Sequence, residues 1–407
     1  MKHIFITLSA AILFVINTQA QTDVLYGVWV LNEGMQDWTT GEMVEPASVG
    51  VYDLETGNFA SVVEFEGSSF TTNIVIEEGS AYVGADNKIY KIDVETLSYE
   101  SVEVEGVRQL AYHEGLIYMT RGDVDPVTWA SVVYDSYLLW FDANTLEQVG
   151  QLSASEGVGF SSEGISVVDG VAYVAVNNGF AWNEEVGILG VYDLNTEAYE
   201  EYDLGEEGKN PAHIKIVDGA VLMVNNTDWS ATSLSRVELV SLGASESSVS
   251  TMYVNGVAAG CNAAAVMGEE LVFQVSGELG MRKASVSDLS PQVGTWGPAT
   301  TEYYRMAVNP LNGDVYGTVT DFSGALHEVH VLDATGVFIS SFEAGSVPGG
   351  IAFDIRSIDS VGDLPTVGQS QVVGEYDVMG RVWSQGNRGI KIERQANGTI
   401  VKRFVVQ

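Results

Sequence analysis

The stretch Val51-Tyr52-Asp53-Leu54-Glu55-Thr56-Gly57-Asn58 recurs along the chain, and this recurrence limits what the chain can fold into. Lys91-Ile92-Asp93-Val94-Glu95-Thr96, Trp140-Phe141-Asp142-Ala143-Asn144-Thr145 and Val191-Tyr192-Asp193-Leu194-Asn195-Thr196 repeat it. Val331-Leu332-Asp333-Ala334-Thr335-Gly336 is a shortened copy, and worn copies lie at Glu238-Leu239-Val240-Ser241-Leu242 and Ser285-Val286-Ser287-Asp288-Leu289. The copies stand roughly 40 to 51 residues apart, the spacing of propeller blades. Each reads as a hairpin: β-formers lead in, an Asp accepts from the amides ahead of it in an Asx-turn, and a second β-rich run follows. An ordinary sandwich of unrelated hairpins is the competing arrangement.

A second hairpin precedes each turn. Asn73-Ile74-Val75-Ile76-Glu77-Glu78-Gly79-Ser80 matches Gln109-Leu110-Ala111-Tyr112-His113-Glu114-Gly115-Leu116 position for position. Gly164 to Tyr173 and His213 to Leu222 follow suit, with looser versions at 262–273 and 305–316. These read as the first and second strands of each blade, the first lining a central channel. Blade one lacks its inner strand, which Gly349-Gly350-Ile351-Ala352-Phe353-Asp354 would supply from the C-terminal side, closing the ring without a free edge. The expected fold is therefore all-β, a seven-bladed β-propeller of four-stranded blades, and no long helical periodicity occurs.

The ends differ from this body. Met1-Lys2-His3, the apolar run from Ile4 to Ile16 and Thr18-Gln19-Ala20 read as a secretory signal peptide over 1–20. The apolar run is short for a membrane span, and no second one follows, so no transmembrane anchor is expected. One cysteine, Cys261, rules out an intramolecular disulfide and reads as a small buried residue. A net charge of −37 disfavours nucleic acid and anionic membranes as partners.

From Gln371 onward the balance reverses, with Arg381, Arg388, Lys391, Arg394, Lys402 and Arg403 against Glu375, Asp377 and Glu393. Glu375-Tyr376-Asp377-Val378-Met379-Gly380-Arg381-Val382, then Gly389-Ile390-Lys391-Ile392-Glu393-Arg394 and Val401-Lys402-Arg403-Phe404-Val405-Val406, resemble the type A sorting domain of the type IX secretion system of Bacteroidetes. Lys391 stands where that pattern usually has Tyr, and Arg403 precedes Phe404. The resemblance implies a small C-terminal β-sandwich-like sorting domain over 371–407, export by that machinery, and removal of the tail. The boundaries that follow are a propeller over 21–357 and a linker over 358–370.

Tyr26-Gly27-Val28-Trp29-Val30-Leu31-Asn32-Glu33-Gly34 with Val51 to Gly57, and Val174-Ala175-Val176-Asn177-Asn178-Gly179 with Val191 to Thr196, are similar to YVTN-type propellers. Surface propellers of gut Bacteroidetes share the Asn-Glu-Gly opening, and some bind cobalamin. What this implies is chiefly the fold.

Two sets of residues are candidates for binding. The positions entering the inner strands form a polar mouth: Asn73, Arg108, Gln109, Glu163, His213, Asn262 and Arg305, suited to orienting a polar ligand. The loops between second and third strands place Trp38, Trp129, Trp182 and Trp229 at matching points, with Phe322 alongside. They would either form a stacking cup for a glycan, corrinoid or other flat ligand, or pack each blade from within. Arg121-Gly122-Asp123-Val124-Asp125-Pro126 has alternating carboxylates usable for Ca²⁺, without the rest of a calcium loop.

Catalytic signatures are sparse. His327-Glu328-Val329-His330 lacks zinc-helix spacing, and no nucleophile elbow or phosphate loop occurs. The expectation is a secreted or cell-surface monomer that binds a small molecule, glycan or protein without catalysis and without a required cofactor. One rival is a lactonase-like hydrolase or lyase using Glu163, Asn262 and Asn73 around a metal at the channel mouth; another is an adhesive scaffold.

Overall fold

In this computed structural model the described residues are 22–37, 40, 42–68, 70–239, 248–260, 263–322 and 326–358, together with the backbone of 372–377, 389–395 and 400–405. The signal-peptide reading, the linker and most of the tail lie outside them. Two compact units divide the chain, Leu25–Ile355 and the remainder.

The first unit is a seven-bladed β-propeller. Blade 1 orders its strands as Pro348–Ile358, Thr22–Asn32, Ser48–Asp53 and Asn58–Glu64, so its inner strand does come from the far end of the chain. Blades 2 to 5 run in sequence from the inner strands Thr71–Glu77, Val107–His113, Ser162–Val168 and Pro211–Val217. Blade 7 starts at Met306–Val308. Among the described residues the one helix is a 3-10 turn, Glu206–Gly208.

The turns explain why the repeats fold this way. The tips joining first and second strands put two successive residues in the left-handed region: Glu78-Gly79, Glu114-Gly115, Asp169-Gly170 and Asp218-Gly219. That is the type I′ geometry whose twist matches the strands it joins, and glycine adopts it without a Cβ penalty. At the outer hairpins the recurrent Asp accepts as expected. Asp53 Oδ1 takes the amides of Glu55 and Thr56 at 2.7 and 3.0 Å, Asp142 those of Asn144 and Thr145, and Asp193 those of Asn195 and Thr196.

At Asp142, Asp193, Asp288 and Asp333 such bonds favour the charged carboxylate. The Thr145 amide on Asp142, the Thr196 amide on Asp193, the Ser290 hydroxyl on Asp288 and the Thr335 hydroxyl on Asp333 hold all four below the usual 3.8. Their stabilising contribution is present above that value and lost as pH falls through the lowered ones. The quadruple variant D142N/D193N/D288N/D333N keeps an acceptor oxygen without the charge. Urea denaturation at pH 3 and pH 7 is expected to show a smaller acid loss for it than for the parent chain.

Alternation along each strand sends successive side chains to opposite neighbouring blades. Trp29 and Leu31 pack against Val83, Tyr90 and Ile92 of blade 2, while Val28 and Val30 pack against Tyr316, Val329 and Val331 of blade 7. The buried apolar residues accordingly fall into seven clusters, one at each interface between blades.

Blade 6 departs from the expected four strands. It has three, Ala264–Met267, Glu270–Phe273 and Arg282–Ser285, and the fourth is reduced to two isolated bridges, Ala284–Pro291 and Met281–Trp296. Pro291 has no N–H to give to a ladder, and Gly294 and Gly297 lie at positive φ. The chain turns back there, and Trp296 buries itself by bridging to Met281.

In the second unit, Val372–Asp377, Gly389–Gln395 and Ile400–Val405 form an antiparallel three-stranded sheet. Its register sets Tyr376 opposite Ile392 and Ile390 opposite Phe404.

Candidate functional site

The inner strands surround a cavity of ≈ 210 Å³ on the axis. Of the expected mouth residues, Asn73, Gln109, Glu163, His213 and Arg305 line it. Arg108 stands at the rim and holds Glu163 through two parallel bonds of 2.9 Å, from Nε and Nη2 to the two carboxylate oxygens. Both partners are largely shielded, and this fork geometry fixes the pair more firmly than a surface ion pair. The Arg108 guanidinium also lies 5.1 Å from the ring centroid of Phe180. Asn262 lies outside the described residues.

Several mouth residues work as staples between blades. Asn73 donates to the Leu110 carbonyl at 2.9 Å and accepts from the Leu110 amide at 3.0 Å, so its side-chain amide clasps blade 3. Asn226 does the same with Gly260, at 3.1 and 2.7 Å. Thr120 Oγ1 donates to the Glu163 carbonyl at 2.6 Å. Of the set expected for a lactonase-like site, Glu163 is bonded to Arg108 and Asn73 to Leu110, while Asn262 is not among the described residues. Among the described residues no three His, Cys, Asp or Glu side chains stand close enough to hold a metal ion. In the 121–126 loop, Asp125 Oδ1 accepts from the amides of Val127 and Thr128, capping a turn.

Four residues important at this face escaped the sequence reading of the site. Glu33 is buried, accepts the Tyr304 hydroxyl at 2.8 Å, and is pushed above the usual carboxylate range by burial, partly offset by the Arg305 and Arg108 charges and the Tyr304 bond. It fits because Gly349 has no Cβ: one placed there would stand 2.3 Å from the Glu33 carboxylate. Arg305 donates from Nε to the Gly349 carbonyl at 3.1 Å and lies 4.5 Å from the Tyr304 ring centroid. Phe180 braces Arg108. Lys215 lines the cavity two residues deeper than His213, and its signal was available: a lysine between Ile214 and Ile216 on an inner strand.

The loop aromatics do not pack their own blades from within. Trp129 is 72% exposed, Trp182 69%, Trp229 37% and Phe322 58%. Trp182 and Trp229, from adjacent blades, converge with ring centroids 6.3 Å apart. Phe322 meets Tyr304 edge-on at 5.0 Å, tying these loops to the residues entering the inner strands. Trp129, Trp229 and Phe322 have φ of 58°, 60° and 54°, a left-handed backbone that costs a bulky residue on the order of 1 kcal/mol. Trp38 lies outside the described residues.

Fold and site together define a β-propeller with an axial cavity lined by residues of its seven inner strands and the positions entering them. No family model matches the chain, and no curated protein does. Among solved structures it is similar to a quinonprotein alcohol dehydrogenase-like protein from Bacteroides thetaiotaomicron, with TM-score 0.55 and 14% identity over 82% of this chain and 79% of that one. It is also similar to the RRP9 WD40 repeats, at TM-score 0.52 and 11% identity over 71% and 84%. The β-propeller domain of Cps50 (Swd1) from Myceliophteria thermophila gives TM-score 0.50 and 11% identity over 68% and 88%. At these identities the likeness concerns the fold alone. No helix among the described residues is long and apolar enough to cross a membrane.

Proposed function

We propose that this chain is an exported, non-catalytic binding protein of YVTN type that takes its ligand on the face bearing the axial cavity and the Trp loops. The carrying observation is the pair Trp182 and Trp229: two large aromatics, exposed and converging, one of them held in a costly backbone conformation. Aromatic surface left open to water is unfavourable unless something covers it, and rings at this spacing suit a flat-faced ligand such as a sugar or a corrin. The commitment of Glu163 and Asn73 to structural bonds supports binding over metal-assisted hydrolysis. Export and later removal of the tail follow from the likeness of residues 375–406 to type IX sorting domains and belong to the same proposal.

Tryptophan fluorescence of the propeller, titrated with glycans and corrinoids, tests the reading. A saturable change is expected, with Trp182→Ala or Trp229→Ala weakening affinity by about tenfold or more, as for an aromatic anchor. A response that survives both substitutions would remove the rim from the site. Stoichiometric metal by elemental analysis, with turnover lost in Glu163→Ala, would replace binding with hydrolysis. No response to any ligand would leave a scaffold.

A further inference from the structure

We propose that the axial cavity seats a small oxyanion, a carboxylate or phosphate group, against the ammonium of Lys215. The inference rests on reading this face as the ligand face, and it names the chemistry of the ligand's inner end.

Strand register isolates the lysine. Val75, Ala111, Ser166, Lys215, Ala265 and Ala307 stand at matching points of six inner strands, paired with Tyr82, Tyr118, Tyr173, Leu222, Val272 and Tyr316 of the second strands. Five of the six are small or apolar, so the single charge there is not a repeat habit. Around it the wall includes Ile74, Ile165, Ile214 and Ile351. Burial among them lowers the Lys215 ammonium from its ordinary value, and no carboxylate offsets this.

The nearby charges can be assigned. Glu163 is held by Arg108, and Glu33 feels Arg305 and Arg108. No ion pair to Lys215 exists among the described residues, although the chain has 55 acidic residues against 18 basic. A half-buried cation without a counter-charge is costly, and an anion entering from the mouth would supply one. Arg305, also in the lining, adds a second positive charge along the path. The overall charge of −37 repels anions at long range, but salt screens that beyond about 8 Å, whereas the field of Lys215 acts inside the protein. A cavity of ≈ 210 Å³ is below the usual range for a whole ligand, so it suits a small anion or the acidic end of a molecule whose body rests on the Trp rim.

The test is calorimetric titration of the full chain with inorganic phosphate, acetate and succinate at low salt, repeated with Lys215→Met and Lys215→Arg. At least one anion should bind, with affinity falling as salt rises. Lys215→Met should lose on the order of tenfold or more, and Lys215→Arg should recover most of it. Phosphate binding without acetate or succinate would assign the seat to phosphoryl groups, and the reverse to carboxylates. A second readout needs no variant: NMR of ¹³C-labelled lysine should show the Lys215 ammonium pKa rising when the anion is added. Absence of binding by all three anions, equal affinity in Lys215→Met, or an unmoved Lys215 signal would overturn the proposal. Loss of the fluorescence response in Trp182→Ala with unchanged anion affinity in Lys215→Met would sink the anion seat alone. Anion binding that depends on Lys215, with no role for Trp182, would sink the rim alone.

Discussion

A chain ending at Gly345 is expected to lose cooperative folding, whereas one ending at Ile358 should melt like the full-length protein. The shorter truncation removes Pro348–Ile358, the inner strand of blade 1, and exposes the hydrogen-bonding edge of Thr22–Asn32. It also removes the closing bonds from the Glu33 and Gly34 amides to the Val347 and Ser346 carbonyls, at 2.9 and 3.2 Å. A propeller avoids free edges only while its ring is shut, and an open edge both weakens the fold and invites pairing between chains. The expected cost is comparable to the whole stability of a domain, about 5–15 kcal/mol. Far-UV circular dichroism with thermal melts and light scattering would show it. A cooperative, monomeric melt for the Gly345 truncation would mean that the ring does not need its C-terminal strand.

Trp29→Ala should be the most damaging single substitution at the same junction, costing about 3–5 kcal/mol. Trp29 is 1% exposed and fills the interface between blades 1 and 2 with Leu31, Val49, Tyr90 and Ile92. Truncation leaves a cavity in a layer already packed on both sides, with little freedom to collapse. Trp129→Ala is the internal comparison, since that ring lies mostly in solvent and its loss should stay within about 0.5 kcal/mol. Urea denaturation of the three proteins would separate the two tryptophans. Equal midpoints would contradict the placement of Trp29.

Particular residues show where legibility in the sequence ended. The Asp turns, the hairpins with their Gly tips and the return of residues 349–354 to blade 1 were readable because each depends on residues close in sequence or on counting strands. Blade 6 was misread because Leu289 and Pro291 to Gly297 keep β-forming and turn residues, while Pro291 and the positive φ of Gly294 break the ladder. At the mouth, residue types and positions were legible but their commitments were not. Glu163 looked available as a ligand until Arg108, 55 positions earlier, was found against it, and Asn73 until its amide met Leu110. Lys215 is visible in the sequence as a lone charge between Ile214 and Ile216, but the sequence does not show that it lines the cavity.

The sequence by itself determined the seven-fold repeat, the turn chemistry and the direction of ring closure, since these follow from local backbone preference and from side chains alternating at a period of two. Only the tertiary structure decided which polar residues at the mouth are spent on holding blades together, that the loop tryptophans face solvent, and that Lys215 sits in a cavity without a paired carboxylate. Those outcomes depend on which side chains from distant blades meet around the axis, and spacing along the chain does not encode those meetings.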